Sequence, residues 1–275
     1  MADAPARIHV LLARDAPYAV VIRRGPSKHV ATIGWDRETD SFTPGQWLKG
    51  RIYERRSDLS SDGKFLLYFA MNGKWESETK GSWTAISQAP YLKAIGLWAK
   101  GDCWHGGGLF TGADRFWINE GYGHQPLHVP PRLIRDQSHP PGGVGGECLG
   151  VYFPRLIRDG WHLVSDEVEQ SNTTSFWQFE KPAFRGWTLR KRATAALDHP
   201  PGKGCYYDEH ELINEVDGVR VDGSTWDWAD VDRHRLVWSE SGKLFEARLE
   251  PAGLAGIREL FDFNPMTFEA IEAPY

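Results

Sequence analysis

The stretch Ser61-Asp62-Gly63-Lys64-Phe65-Leu66-Leu67-Tyr68-Phe69-Ala70 places a turn signal directly before an uninterrupted apolar run. Asp-Gly is typical of the tight turn between two antiparallel strands, because glycine adopts positive φ without a steric penalty. The run does not alternate, which is typical of a strand covered on both faces. Glu240-Ser241-Gly242-Lys243-Leu244-Phe245 has the same layout. We therefore predict hairpin turns at Asp62-Gly63 and at Ser241-Gly242.

Short apolar or alternating runs recur along the whole chain, and most are bounded by Gly, Asp, Asn or Ser, as strand ends require. They are Tyr18–Arg24, Val30–Asp36, Arg51–Arg55, Phe65–Ala70, Tyr91–Trp98, Arg115–Asn119, Val151–Ile157, Ser175–Glu180, Trp187–Ala193, Leu236–Trp238 and Leu244–Leu249. The 29 glycines and 17 prolines among 275 residues leave little room for long helices. The sequence therefore predicts an all-β fold, with one short helix at Leu254–Phe261, where apolar residues share a helical face.

Several short sequences occur more than once. Ala-Pro-Tyr is found at residues 16–18, 89–91 and 273–275. Pro-Arg-Leu-Ile-Arg-Asp is found at residues 131–136 and again at 154–159. Together with the two similar hairpins, these echoes indicate an internally repeated structural unit.

The segment Asp58-Leu59-Ser60-Ser61-Asp62-Gly63-Lys64 resembles the blade hairpins of TolB-like and WD40-like β-propellers. The segment Trp238–Leu244 resembles another such hairpin. The resemblance covers about a fifth of the chain and concerns architecture only, because propellers include both enzymes and scaffolds. The chain departs from the WD40 pattern in lacking repeated Gly-His and Trp-Asp pairs, since Trp35-Asp36 and Trp226-Asp227 are its only Trp-Asp dipeptides.

The resemblance implies a small propeller of about five four-stranded blades, forming a single domain over residues 1–275. Residues 121–150, rich in glycine, proline and histidine, are predicted to be a long loop inserted between blades. A closed ring needs its ends joined, so we expect the strand at Ile8–Ala13 to pair with, or to lie in the same blade as, strands from the last 50 or so residues. A β-sandwich or an open barrel is the alternative architecture.

Composition excludes several classes of function. The formal net charge of -5 and the lack of a basic run argue against a nucleic-acid partner. No stretch approaches the ~18 apolar residues that cross a membrane, and the first residues lack the apolar run of a signal peptide. Cys103, Cys148 and Cys205 are odd in number and widely spaced, which indicates thiols in a reducing compartment. We therefore predict a cytoplasmic protein with neither a nucleic-acid nor a membrane partner.

The segment Asp102-Cys103-Trp104-His105-Gly106-Gly107-Gly108 is the first candidate site. Cys103 and His105 are metal-ligating types, and glycines let a backbone approach a ligand closely. A zinc site needs three or four ligands, and no second Cys or His pair at ligand spacing completes this one. A glycine-rich hairpin with Trp104 packed between strands is the plainer interpretation, so we predict no metal and no cofactor.

A second candidate lies in Cys205-Tyr206-Tyr207-Asp208-Glu209-His210-Glu211. On a strand, Tyr206, Asp208 and His210 would share one face. A carboxylate beside a histidine can serve as a general acid and base or bind a divalent cation. The alternative is a solvated edge strand.

The histidines at 124, 128 and 139 could gather a metal with Cys148, but their spacing matches no known motif. We therefore expect surface histidines there.

The 13 tryptophans suit stacking on sugars or anchoring an interface. Polar or glycine neighbours favour exposure of Trp47, Trp104 and Trp228.

Two classes of function remain. The first is a non-catalytic interaction module that binds a protein or peptide partner through a propeller face. It is favoured by the absence of any serine-nucleophile, P-loop or dinucleotide motif. The alternative is an enzyme or lectin acting on a carbohydrate or small molecule in an aromatic-lined pocket, using Asp208, His210 or nearby carboxylates. The sequence does not decide whether the chain is an enzyme or what its oligomeric state is.

Overall fold

The computed structural model describes residues 4–25, 28–142 and 148–275. Strands hold 52% of the described residues and helices 6%, so the all-β prediction is confirmed. The chain divides into two compact units, Met1–Arg155 with Pro265–Tyr275, and Leu156–Asn264. Both are built mainly from antiparallel strands that follow one another along the chain.

Three sheets form the first unit. One is a meander of β1 (Arg7–Leu12), β2 (Tyr18–Arg24), β3 (His29–Asp36) and β4 (Ser41–Lys49). The second contains β5 (Arg51–Ile52), β6 (Asp58–Leu59), β7 (Phe65–Met71), β8 (Ser82–Gln88), β9 (Ala94–Ala99) and β12 (Gln125–His128), in the order β12-β9-β8-β7-β5 with β6 also on β7. The third contains β10 (Gly108–Phe110), β11 (Arg115–Ile118) and β13 (Ile134–Arg135), and β13 runs parallel to β11.

Strand β7 is covered on both faces, as its unbroken apolar sequence predicts. Leu66 and Tyr68 pack in one cluster with Val20 of β2. Leu67, on the opposite face, packs with Phe110 of β10. The second sheet therefore lies between the other two sheets of its unit.

Two meanders form the second unit. One has five strands, β14 (His162–Ser171), β15 (Thr174–Pro182), β16 (Trp187–Ala196), β17 (Tyr206–Asn214) and β18 (Val219–Gly223). The other has four, β19 (Trp228–Asp232), β20 (Arg235–Glu240), β21 (Lys243–Glu250) and β22 (Gly253–Asp262).

Both predicted hairpin turns are confirmed. Asp62-Gly63 lies in the turn between β6 and β7, and Gly63 has φ +75°. Ser241-Gly242 is a two-residue turn between β20 and β21, with φ values of 51° and 78°. Two successive positive φ values match the right-handed twist of the flanking strands.

The predicted strand at Val151–Ile157 is wrong, because these residues lie in the helix α1 (Leu149–Arg158). A helix brings residues four apart onto one face. Val151 thereby packs in a buried cluster with Trp117. Arg155 donates its Nη1 to the carbonyl oxygen of Glu54 at 2.9 Å. The consecutive residues Val151, Tyr152 and Phe153 are all buried in this helix.

The predicted helix at Leu254–Phe261 is also wrong, because these residues belong to β22. The neighbouring strand β21 pairs with them, with Leu249 opposite Leu254 and Leu244 opposite Phe261. Ile257, which the helical pattern assigned to the core, is 60% exposed. Hydrogen bonds between the backbones of β21 and β22 thus outweigh the helical spacing of a few apolar residues.

The expected pairing of the first strand with strands near the end of the chain is wrong as well. β1 pairs with β2, and β19 to β22 form a sheet of their own. Only Pro265–Tyr275, which follows β22, belongs to the first unit. Within residues 121–150, the structure places β12, β13 and the start of α1, and residues 143–147 of that predicted loop lie outside the described part.

Two further features concern the cysteines and the helices. No disulfide joins Cys103, Cys148 and Cys205, of which only Cys148 is buried. In the part of the chain that the structure describes, no helix has the length and apolar character that crossing a membrane requires.

Leu66→Ala and Leu67→Ala should each lower the free energy of unfolding by about 2–5 kcal/mol, since both side chains are fully buried on opposite faces of β7. Urea denaturation of the purified protein measures this. Leu197→Ala, at a residue 77% exposed, is the control and should change the value by less than about 0.5 kcal/mol. A negligible effect at either buried position would mean that one face of β7 is open.

Candidate functional site

Three loops of the first unit meet at one end of its second sheet. The register places Met71 opposite Ser82, Trp83 opposite Ala99, and Ala99 opposite Gln125. The loops that leave or enter the sheet here are residues 72–81, 100–107 and 119–124. We refer to these three loops as the loop cluster.

An ion pair with a buried cation organises the middle loop. The Lys100 side chain is fully buried, and its Nζ lies 2.7 Å from both carboxylate oxygens of Asp102. Asp102 Oδ1 also accepts the backbone N–H of Trp104 at 2.8 Å, and Ser82 Oγ donates to the Asp102 carbonyl oxygen at 2.6 Å. A buried charge is costly unless it is paired and hydrogen-bonded, so this network holds the loop in one conformation.

Aromatic rings line the loop cluster on the solvent side. Trp75, Trp104 and Tyr122 are 53%, 54% and 54% exposed. Lys100 Nζ lies 4.1 Å from the centroid of the Tyr122 ring, and the His105 ring meets Tyr122 edge-on at 5.6 Å. The Tyr122 ring is therefore held in place by a cation and by a second ring, although much of its surface remains in water.

An arginine anchors the same loop from inside the unit. Arg56 donates Nη1 to the carbonyl oxygens of Cys103, at 2.7 Å, and of His105. Its Nε lies 3.2 Å from Cys148 Sγ. Gly107 N–H donates to Thr84 Oγ1 at 2.9 Å. Both ends of the loop are thus fixed to buried side chains.

His124 lies at the base of the third loop. Its ring nitrogens lie 3.1 Å from Thr84 Oγ1 and 3.0 Å from the Glu120 carbonyl oxygen. Burial lowers the pKa of His124 from its usual 6.5 to about 4, although the contact with Glu120 acts in the opposite direction. The ring is therefore neutral near pH 7 and serves as a hydrogen-bonding spacer between the loops.

The second predicted site lies on the buried face of the five-stranded sheet of the second unit. Asp208 and His210 are 6% and 3% exposed on β17, whereas Tyr206 is half-buried. The alternative of a solvated edge is wrong for Asp208 and His210, because both side chains are buried, although β18 pairs only with residues 210–214 of β17. Lys191, paired opposite His210, extends its Nζ to 3.8 Å from Asp208 Oδ2.

Trp161 completes this buried group. The Lys191 Nζ lies 4.4 Å from the Trp161 ring centroid, which places the cation over an electron-rich face. The His210 ring lies 6.4 Å from that of Trp226. In the residues that the structure describes, no three His, Cys, Asp or Glu side chains come close enough to hold a metal ion. Asp208 and Lys191 therefore act as an internal ion pair of the sheet.

The remaining predicted residues are scattered. Trp47 is half-buried on β4 and contacts the chain's own residue Phe268, with ring centroids 6.3 Å apart. Trp228 is 3% exposed, contrary to the predicted exposure, because it lies in β19 with strand β20 paired beside it. Only Trp104 and His105 belong to the loop cluster.

Sequence reasoning missed Trp75, Tyr122 and Lys100. Glycines flank Tyr122 at positions 121 and 123, and a glycine follows Lys100 at position 101. Glycines at such positions are typical of exposed turns. The strand register that brings these loops together depends on pairs distant in sequence, such as Ala99 with Gln125. No local pattern contains that information.

Comparisons with known proteins do not assign the chain. No protein-family model matches it, and no curated protein matches it. The WD40 repeats of RRP9 align with 93% of this chain and 84% of that chain, at 12% identity and a TM-score of 0.21. Cobalt-substituted Synechocystis ACO aligns with 96% of this chain and 64% of that chain, at 9% identity and a TM-score of 0.19. At TM-scores this low, neither structure says what this chain does.

Asp102→Asn should lower the free energy of unfolding by about 2 kcal/mol, because hydrogen bonds to a charged group contribute roughly 1.5–3 kcal/mol each. Urea denaturation at neutral pH measures the change. Asp114→Asn, at an exposed position in the next loop, should stay within about 0.5 kcal/mol of the parent. Equal stability of the two variants would show that Lys100 does not depend on Asp102.

Protein stability should fall as the pH drops from about 6.5 to about 4. Over this range the unfolded chain binds a proton at His124 that the folded protein excludes, so acid favours unfolding. Thermal melts of the parent and of His124→Asn at pH 7 and pH 4.5 measure the effect. The variant should lose less stability between the two pH values than the parent. His128→Asn, at an exposed histidine, should behave as the parent does.

Proposed function

We propose that this chain is a non-catalytic interaction module, and that its loop cluster binds a protein or peptide partner. The observation that carries the proposal is the set of three half-exposed aromatic rings, of which Trp104 and Tyr122 lie on loops held by Lys100, Asp102 and Arg56. Binding residues are typically carried by loops on a rigid scaffold.

The energetics favour such a role. Tryptophan and tyrosine dominate the binding energy of protein interfaces. Each removes a large ring from water on binding, and only two side-chain torsions lose their freedom. Trp104 and Tyr122 lie on a loop network that is already ordered, so little conformational entropy is lost when a partner binds. The net charge of -5 supports a partner other than nucleic acid.

The proposed architecture is a small propeller in which the meanders are blades. Two observations support it. Consecutive antiparallel strands build four-stranded sheets such as β1 to β4 and β19 to β22, and the second sheet of the first unit packs against another sheet on each face. The cysteines outside disulfides are consistent with the proposed cytoplasmic location.

A carbohydrate is the second candidate ligand, and the exposed Trp104 ring favours it. Flat aromatic faces stack on sugar rings as well as on peptide side chains. The neighbouring Asp102 carboxylate and His105 ring offer the polar groups that orient a hydroxylated ligand. The buried position of Asp208 and His210 favours neither candidate.

The double substitution Trp104→Ala, Tyr122→Ala should weaken partner binding at least about tenfold, because each ring is placed as an interface anchor. Peptides selected from a phage-displayed library against the parent provide the probe, and isothermal titration measures their affinity. Phe184→Ala, at an aromatic residue 47% exposed in the second unit, is the matched control and should bind as the parent does.

An immobilised panel of oligosaccharides distinguishes the two candidates. Peptides that bind the parent and not the double variant support the interaction module. Oligosaccharide binding that the double variant loses would favour the carbohydrate candidate. Unchanged peptide affinity in the double variant would contradict a role for the loop cluster.

A further inference from the structure

Pro265–Tyr275 belongs to the first unit and lies along it without forming a helix or a strand. Most of its residues remain exposed. It is held by individual side chains of the unit. We refer to the residues that hold it, Arg23, His29, Gln46, Trp47, Tyr91 and Lys93, as the segment-binding surface.

The first part of the segment is held by a cation and two rings. Arg23, itself buried, donates Nη2 to the carbonyl oxygen of Met266 at 3.2 Å. The Phe268 ring lies against His29, at 5.9 Å between centroids, and against Trp47, at 6.3 Å. The Arg23 guanidinium also lies 5.4 Å from the Trp47 ring, so the platform under Phe268 is fixed.

Gln46 holds the middle of the segment. Its Nε2 donates to the carbonyl oxygen of Ile271 at 2.8 Å. Its Oε1 accepts the backbone N–H groups of Leu92 and Lys93, at 2.8 and 2.9 Å. Both ends of this amide are thereby oriented, and the donor side faces the segment.

Tyr275 anchors the last part. Its hydroxyl donates to the Lys93 carbonyl oxygen at 2.6 Å and accepts the Gln88 backbone N–H at 3.0 Å. Its ring meets that of Tyr91 edge-on at 6.2 Å. Lys93 Nζ also donates to the Tyr275 carbonyl oxygen. Hydrogen bonds in both directions at one phenol make this position selective for tyrosine over phenylalanine.

The three Ala-Pro-Tyr sequences come together at this anchor. Tyr91 contacts Tyr275. Burial raises the pKa of Tyr18 to about 12, and the nearby Tyr91 acts in the same direction. Both the Tyr18 hydroxyl and Pro90 lie directly over Gly34, where a Cβ atom would be 2.1 and 3.3 Å from them. The tripeptides therefore form a single cluster.

This arrangement has the properties of peptide recognition. Side chains that donate to backbone carbonyl oxygens hold an extended chain of any sequence, and two aromatic sites supply the selectivity. Phe268 and Tyr275, seven residues apart, occupy those sites. Because Phe268 stays 60% exposed and no strand ladder holds the segment, its release would cost little of the fold.

We propose that the segment-binding surface is a second recognition site, which binds residues 265–275 in cis and accepts an equivalent partner segment in trans. The partner segment is extended, carries an aromatic side chain at the Phe268 position and has a tyrosine seven residues later. The site lies at the Gln88 end of β8, whereas the loop cluster lies at the Ser82 end, so the two sites are separate.

The resident segment competes with any partner, because a tethered ligand acts at an effective concentration of the order of millimolar. Weakening the resident segment should therefore increase binding of a free peptide, whereas damaging the surface should decrease it. These two opposite effects distinguish recognition from ordinary packing of a chain segment.

The test uses a fluorescein-labelled peptide with the sequence of residues 264–275 and the full-length chain, measured by fluorescence anisotropy. The chain carrying Phe268→Ala and Tyr275→Ala should bind the peptide at least about tenfold more tightly than the parent. Adding Trp47→Ala, or separately Gln46→Ala, to that chain should remove the gain. A peptide with alanine at both aromatic positions should not bind. Trp104→Ala with Tyr122→Ala, which tests the loop cluster, should leave the peptide affinity unchanged.

Thermal melts show which variants remain folded. Trp47→Ala and Gln46→Ala are made separately, so that the test still works if one of these variants does not fold. No increase in peptide binding by a folded Phe268→Ala, Tyr275→Ala chain would overturn the proposal. Retained binding after both surface substitutions would also overturn it. A parent dimer in light scattering that these tail substitutions dissociate would support the site and identify a second copy as the partner.

Discussion

Strand β7 is apolar from Phe65 to Ala70, so both of its faces have to be removed from water. The structure meets this requirement with sheets on either side, which pack on Leu66 and on Leu67 respectively. Much of the first unit depends on this constraint. Arg155 of α1 bonds the carbonyl oxygens of the Glu54–Arg56 turn and of Ser57, directly before β6, and so ties the helix to the segment that leads into β6 and β7.

A rigid central sheet also explains why two surfaces can be proposed on one unit. β8 is paired on both sides, by β7 and by β9, and its two ends meet different loops. At Ser82 the sheet positions the ring of Tyr122 through Lys100 and Asp102. At Gln88 it positions Tyr275 through a backbone N–H. Each surface is thus anchored in part by residues of paired strands.

Charge is used differently in the two units. In the second unit, Lys191 and Asp208 face each other on a buried sheet face, where Trp161 covers the cation. In the first, Lys100 is equally buried, but its partner Asp102 reaches the surface and orders an exposed loop. The first pair lies wholly inside the sheet, whereas the second ends at the surface, where Asp102 also accepts the backbone N–H of Trp104.

The sequence by itself determined the all-β class, the turns at Asp62-Gly63 and Ser241-Gly242, and the double burial of β7, because each depends on neighbouring residues. Only the tertiary structure decided the rest. Pro-Arg-Leu-Ile-Arg-Asp ends with strand β13 at 131–136 but lies largely in the helix α1 at 154–159. The preference of a residue for helix or strand is worth a few tenths of a kcal/mol. A parallel partner strand overrides it at residues 131–136, and a buried helical face overrides it at residues 154–159. The site residues follow the same rule, since the register between distant strands brings His105 to Tyr122 and places Asp208 inside the sheet.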